Sequence, residues 1–215
     1  NSRYSVKVPD LEFKRAQVEA DTTATLIKAG KVELSTVTAK TTYEGQRLQF
    51  TANVKEQQRE LDATGELILH PDHQEVHLPQ LALRTQGIEW RSAPGAEVTV
   101  KYGQDRVEID NLRLTSGDQA LTVNGAFAVQ GESPAGAIKV QASNVDLQQV
   151  EKLLLMNRGL AGTLSADATI SGTVKNPIVD GHAGIINGAF QSYKYESLNA
   201  DVDYTGTAIG IELNP

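Results

Sequence analysis

The chain has 215 residues, of which 40% are hydrophobic, 22% charged and 5% aromatic, with 20 basic against 27 acidic residues for a net charge of -7 and no cysteine. That composition excludes a disordered tail and a disulfide scaffold. A net-negative chain without a local basic patch argues against nucleic acid as a partner, and scarce aromatic rings argue against stacking platforms for bases or sugars.

The start at Asn1-Ser2-Arg3 and the stop at Asn214-Pro215 in mid-pattern read as a piece of something longer. No stretch approaches the roughly 18 consecutive apolar residues of a membrane-spanning helix, and no signal-peptide core is present. Absence of Cys fits an oxidising compartment, where stray thiols are a hazard, but also suits many cytosolic proteins.

In chain order, the dominant signal is alternation with period two, each run a strand with one apolar and one polar face. Leu48, Phe50, Ala52 and Val54 alternate with Gln49, Thr51 and Asn53. His70, His73 and His77 follow, accompanied by Asp72 and Glu75, and imidazoles near carboxylates can hold zinc. Pro71 interrupts the first spacing, and Val76-His77-Leu78 reads as a strand that puts side chains on opposite faces, so a solvated hairpin turn is expected and no metal. Val98, Val100 and Tyr102 then alternate with Thr99 and Lys101, and Val107 and Ile109 with Arg106, Glu108 and Asp110. Leu121, Val123, Phe127 and Val129 continue the pattern.

A helix is predicted over 146–157. Asp146 caps it with Gln149 three residues on, Leu147, Val150, Leu153 and Leu154 keep helical spacing, and Gly159 suits a C-terminal cap. It packs on the end or rim of the sheet or, in a sharper reading, plugs an apolar interior. Strand alternation resumes with Leu164, Ala166, Ala168 and Ile170, then Val202 and Tyr204, then Ile209, Ile211 and Leu213. Turn chemistry falls at Ser116-Gly117-Asp118, Gly131-Glu132-Ser133-Pro134, Asn176-Pro177, Asp180-Gly181, Asn187-Gly188 and Thr205-Gly206, with Asn187-Gly188 the strongest hairpin signal. Recurrent turns between amphipathic strands predict an all-β antiparallel meander.

An enzyme is not expected. There is no Gly-x-Ser-x-Gly elbow, and Gly181-His182-Ala183-Gly184 lacks the third glycine and following helix of a phosphate cradle. Asp105, Asp110 and Asp118 sit beside turns, where Asp serves backbone geometry, so no catalytic residue and no cofactor is assigned. What needs explaining is one wide apolar face. A folded-over sheet covers it as a dry β-sandwich; a sheet curled halfway leaves a groove lined by short aliphatic side chains, suited to acyl chains. The candidate lining is Leu48, Phe50, Val98, Val100, Val107, Ile109, Leu121, Val123, Phe127, Leu164, Ile170, Ile209 and Ile211.

The segment from Gly159-Leu160-Ala161-Gly162-Thr163 through Ser171-Gly172-Thr173-Val174-Lys175-Asn176-Pro177 to Ile186-Asn187-Gly188-Ala189-Phe190 resembles a recurring phrase of the TamB family. Leu112 to Gly117 and Leu121 to Gly125 resemble the looser phrase of the wider AsmA-like group. Together these portions lie within 105–215, about half the chain; residues 1–95 share only the alternation. Beside the family name, Gly162 and Gly172 remove side chains where strands bend or cross closely, and Asn176-Pro177 ends a strand. The resemblance implies that 1–215 is one continuous segment of a half-open β-groove, a β-taco, with its helical insert at 146–157. It implies a periplasmic location in a protein anchored in the inner membrane of a Gram-negative bacterium. The implied partners are phospholipids, flanking groove segments of the same chain and an Omp85-class outer-membrane protein, and the implied role is outer-membrane biogenesis. Two other readings stay open: a dry β-sandwich spacer, and a chaperone-like module that pairs edge strands with nascent outer-membrane proteins.

Overall fold

The computed structural model of the chain describes residues 1–9, 17–29, 32–129, 136–173, 176–205 and 209–214, with backbone alone for 27–29, 32–33 and 209–214. The order is β1 (Ser2–Lys7), β2 (Gln17–Ala29), β3 (Val32–Glu44), β4 (Arg47–Glu56), β5 (Arg59–Leu69), β6 (His73–Thr85), β7 (Ile88–Ser92), β8 (Val98–Gly103), β9 (Arg106–Ser116), β10 (Gln119–Ala128) and β11 (Ile138–Asp146), then α1 (Leu147–Leu153), then β12 (Leu160–Gly172), β13 (Pro177–Phe190), β14 (Tyr193–Tyr204) and β15 (Ile209–Asn214). All fifteen described strands join one sheet. The pairings are antiparallel and follow chain order, except that β7 and β8 lie end to end between β6 and β9. The described residues therefore form an all-β meander with one short α-helix, as the alternation predicts.

The turns are less orthodox than the sequence suggests. Tight reversals occur at Gly45-Gln46, Gln57-Gln58, Gln86-Gly87, Gly117-Asp118 and Gln191-Ser192. Gln46, Gln57, Gln86 and Gln191 take left-handed backbone angles usually left to Gly or Asn. Of the predicted turns, Ser116-Gly117-Asp118 holds, and Asn176-Pro177 closes the β12–β13 hairpin, with Thr173 and Asn176 exchanging backbone bonds. Asp180-Gly181 and Asn187-Gly188 are not turns: both lie inside β13, which pairs continuously with β14 from Val179 to Phe190. Asn187 does adopt the left-handed angle its type favours, but the strand runs through it, and the Tyr195 ring fills the space over Gly188. The turn at 131–134 and Gly206 lie outside the described residues. Val129 falls just beyond the end of β10, in a bend.

The helix is shorter than predicted. Asp146 caps it by accepting from the Gln148 amide, while Gln149 reaches back to the Asp146 carboxylate instead of its backbone. It closes at Leu153, not near 157, because Leu155 takes φ 51 and starts a Schellman motif: the Met156 amide donates to the Glu151 carbonyl and the Leu155 amide to the Lys152 carbonyl. Gly159, the expected cap, instead accepts from the Gln191 amide at the far end of β13.

Position, not length, gives α1 its role. Arg59 and Gln119 share the apolar side of their strands with Leu61 and Leu121. From there Arg59 Nη1 donates to the Leu153 carbonyl at 3.1 Å, and Gln119 donates to Gln149 and accepts from the Asp146 amide. Helix α1 therefore lies on the end of the apolar face and spans from β12 back to β6, which requires the sheet to curl. Beneath it sits the compact core, with Trp90 5%, Thr85 2% and Leu147 9% exposed. The helix thus takes the end-of-sheet position.

Candidate functional site

The register assembles one surface from every part of the chain. Residues facing each other across an antiparallel pair share a side of the sheet. Starting at β1, Val6 faces Val18, Val18 faces Tyr43, and Tyr43 faces Leu48. The same row continues through Leu67, Val76, Val100, Ile109 and Gly125. It ends through Ile138, Ile170, Val179, Tyr204 and Ile209. No member of this row carries a charge or an amide side chain. A parallel row runs Leu114, Leu121, Ala142, Ala166, Ala183, Ala200 and Leu213.

All thirteen candidate lining residues fall on this side by register. Of the eleven whose side chains are described, Val98 is buried and the other ten are half-buried; the side chains of Ile209 and Ile211 lie outside the described residues. The molecule exposes 14093 Å², where a compact monomer of 23.2 kDa exposes roughly 9,700 Å². Among the described elements no second sheet lies over the apolar one, and only α1 crosses it at one end. A wide aliphatic surface is thus left partly open to solvent.

Sequence reasoning missed part of the lining because bulges change parity at several places in the sheet. Asn111 and Asn144 adopt left-handed angles, so that Leu112 and Leu114 follow Ile109 on the same side, and Val145 follows Ala142. In β6 a register shift opposite Gly65 brings Leu81 and Leu83 to the side of Val76. Strict alternation loses its phase at each such point.

The opposite side is polar. Its open hollows include one of about 820 Å³ bordered by Arg3, Asp21, Lys40, Thr51, Thr64 and Glu66. Asp62 accepts from Asn53 at 2.7 Å and pairs with Arg84; the Asn53 bond, then Arg84, hold its carboxyl below the ordinary range, and the Arg84 guanidinium is raised in turn.

The histidines do not behave as expected. His73, Glu75 and His77 are two residues apart along β6 and share the polar side, so they converge instead of separating. His70 stacks on His73 across the turn, ring centroids 4.4 Å apart. The Glu75 carboxylate receives His73 Nε2 at 3.0 Å and His77 Nε2 at 3.1 Å, with Lys101 Nζ at 3.6 Å. The His73 and His77 bonds pull its pKa from 4.5 to about 2. His73 is raised by its bonds to Glu75 and Asp72, and Asp72 is lowered by His73. His182 stands apart in β13, 2.8 Å from Asp201.

Comparison with protein-family models, with curated proteins and with solved structures found no match.

Proposed function

We propose that the apolar side of the sheet is a groove for the acyl chains of phospholipids, as a segment of an envelope protein that carries lipid between the inner and outer membranes of a Gram-negative bacterium. The carrying observation is the uncharged row from Val6 to Ile209, which crosses the sheet without a break and is half-buried from Val18 to Tyr204. An acyl chain gains about 0.8 kcal/mol per buried methylene, so part of a chain along this row binds detectably. The head group stays at the wet rim, which makes selectivity among head groups poor. The TamB-like phrase at 159–190 supports the same reading. The dry-spacer alternative needs a cover for this surface, and α1 reaches only one end of it.

The test places a photo-crosslinking amino acid at Val100, Val123 or Ile170 and, separately, at the polar-side neighbours Thr99, Thr122 or Thr169, in the presence of phospholipid vesicles. Capture of phospholipid at the first set alone is expected. Equal labelling on both sides, or none on either, overturns the groove and leaves the spacer.

A further inference from the structure

The cluster around Glu75 has the construction of a metal site. Three potential ligand atoms, one each from His70, His73 and Glu75, lie within 4.8 Å of one another. Zinc-type ions bind imidazole and carboxylate at about 2.0–2.2 Å, which leaves neighbouring ligand atoms roughly 3.3 Å apart, so rotations of about an ångström close the set.

Two further observations point to a cation as the ligand. The first is that the His70 Nε2 atom is shielded from solvent with no hydrogen-bond partner, in a side chain 37% exposed as a whole, and lies 4.0 Å from Glu75 Oε2. The second is how the other groups are oriented. His73 Nδ1 is 2.9 Å from Asp72 Oδ1, which leaves Nε2 to face the cluster, the carboxylate–histidine–metal arrangement that fixes ligand tautomers. His77 is held likewise, its Nδ1 3.1 Å from Glu97 Oε1, while its Nε2 orients the Glu75 carboxylate.

We propose that His70, His73 and Glu75 bind one divalent first-row transition-metal ion of the zinc class, with Asp72 and His77 as positioning residues. Imidazole donors select such ions over calcium or magnesium. Lys101 is the resident competitor for Glu75, and the metal displaces it. Three protein ligands leave one position for water. The ion ties the turn after β5 to β6 on the polar side, so the site stands independently of the groove.

The experiment titrates the purified full chain with Zn²⁺ by calorimetry and with Co²⁺ by visible absorption, circular dichroism confirming that each variant is folded. One ion per chain is expected, with the cobalt bands of a low-coordinate site. His73→Ala and His70→Ala should each abolish the bands. Asp72→Asn should weaken affinity about 10–100-fold without changing stoichiometry. His182→Ala should change nothing. Absence of stoichiometric binding, or binding that survives loss of both His70 and His73, overturns the site.

Discussion

At Gly162 a hydrogen takes the place that any side chain would need. Its φ is +116, and a Cβ there would come within 2.9 Å of Ile185 Cγ2 and of the Ile186 carbonyl, where β12 shifts register against β13. Gly162→Ala therefore combines an unfavourable backbone angle with a backbone clash, and should destabilise the chain by more than about 1 kcal/mol, read from urea denaturation. Asp62 permits a second prediction. Its carboxyl is lowered from 3.8 by Asn53 first and Arg84 after. A depressed carboxylate contributes stability above its unfolded pKa and loses it as pH falls through the folded value. Asn53→Ala should thus move the Asp62 titration upward and shift acid unfolding to higher pH, checked by carboxyl-carbon NMR; an unchanged titration would deny Asn53 its role. Single residues were also where the sequence misled. Asn187-Gly188 carries a left-handed angle, as its chemistry suggests, but turn chemistry specifies a dihedral and not a reversal of the chain. Three of the true reversals rest on Gln57, Gln86 and Gln191, a residue type that gives no such signal.

At the level of elements, strands were legible because alternation is imposed by burial of one side, and that partial burial recurs from β2 to β14, while β1 is exposed throughout. Their phase was not fully legible, since Asn111 and Asn144 reset it without any mark distinguishing them from other asparagines. The helix start was legible from Asp146, whose carboxylate satisfies an otherwise unpaired amide; its end was not, because Leu155 supplies the left-handed residue in place of glycine. Asp146→Ala should cost about 1 kcal/mol through the lost cap. Because α1 covers only the end of the apolar side, fraying it should alter amide exchange around Trp90 and Thr85 and leave β2 to β4 unaffected. Uniform exchange changes across the sheet would refute that division. The histidine cluster was half legible: its residue types were visible, but their convergence follows from the strand period, which puts His73, Glu75 and His77 on one side.

For the molecule as a whole, the decisive question is whether the apolar side is a core or a wet surface. Val123 sits between Leu112 and Val140, half-buried and away from α1, so it probes that side directly. In a dry core, an aspartate there would be an unpaired buried charge, with destabilisation at or above the ~4–5 kcal/mol that marks exceptional substitutions. On a half-open surface the carboxylate reaches water, so Val123→Asp should stay folded with a loss of a few kcal/mol at most, roughly 1–3. It should nevertheless break the uncharged path, and phospholipid capture by a photo-crosslinker at Val100 or Ile170 should fall sharply. Thr122→Asp is the control, placed on the polar side between Arg113 and Gln141, where the charge meets a cation and water; neither stability nor capture should change appreciably. Outright unfolding of Val123→Asp would make the surface a dry core and favour the spacer. A folded variant with undiminished capture would mean that lipid does not travel along this face at all.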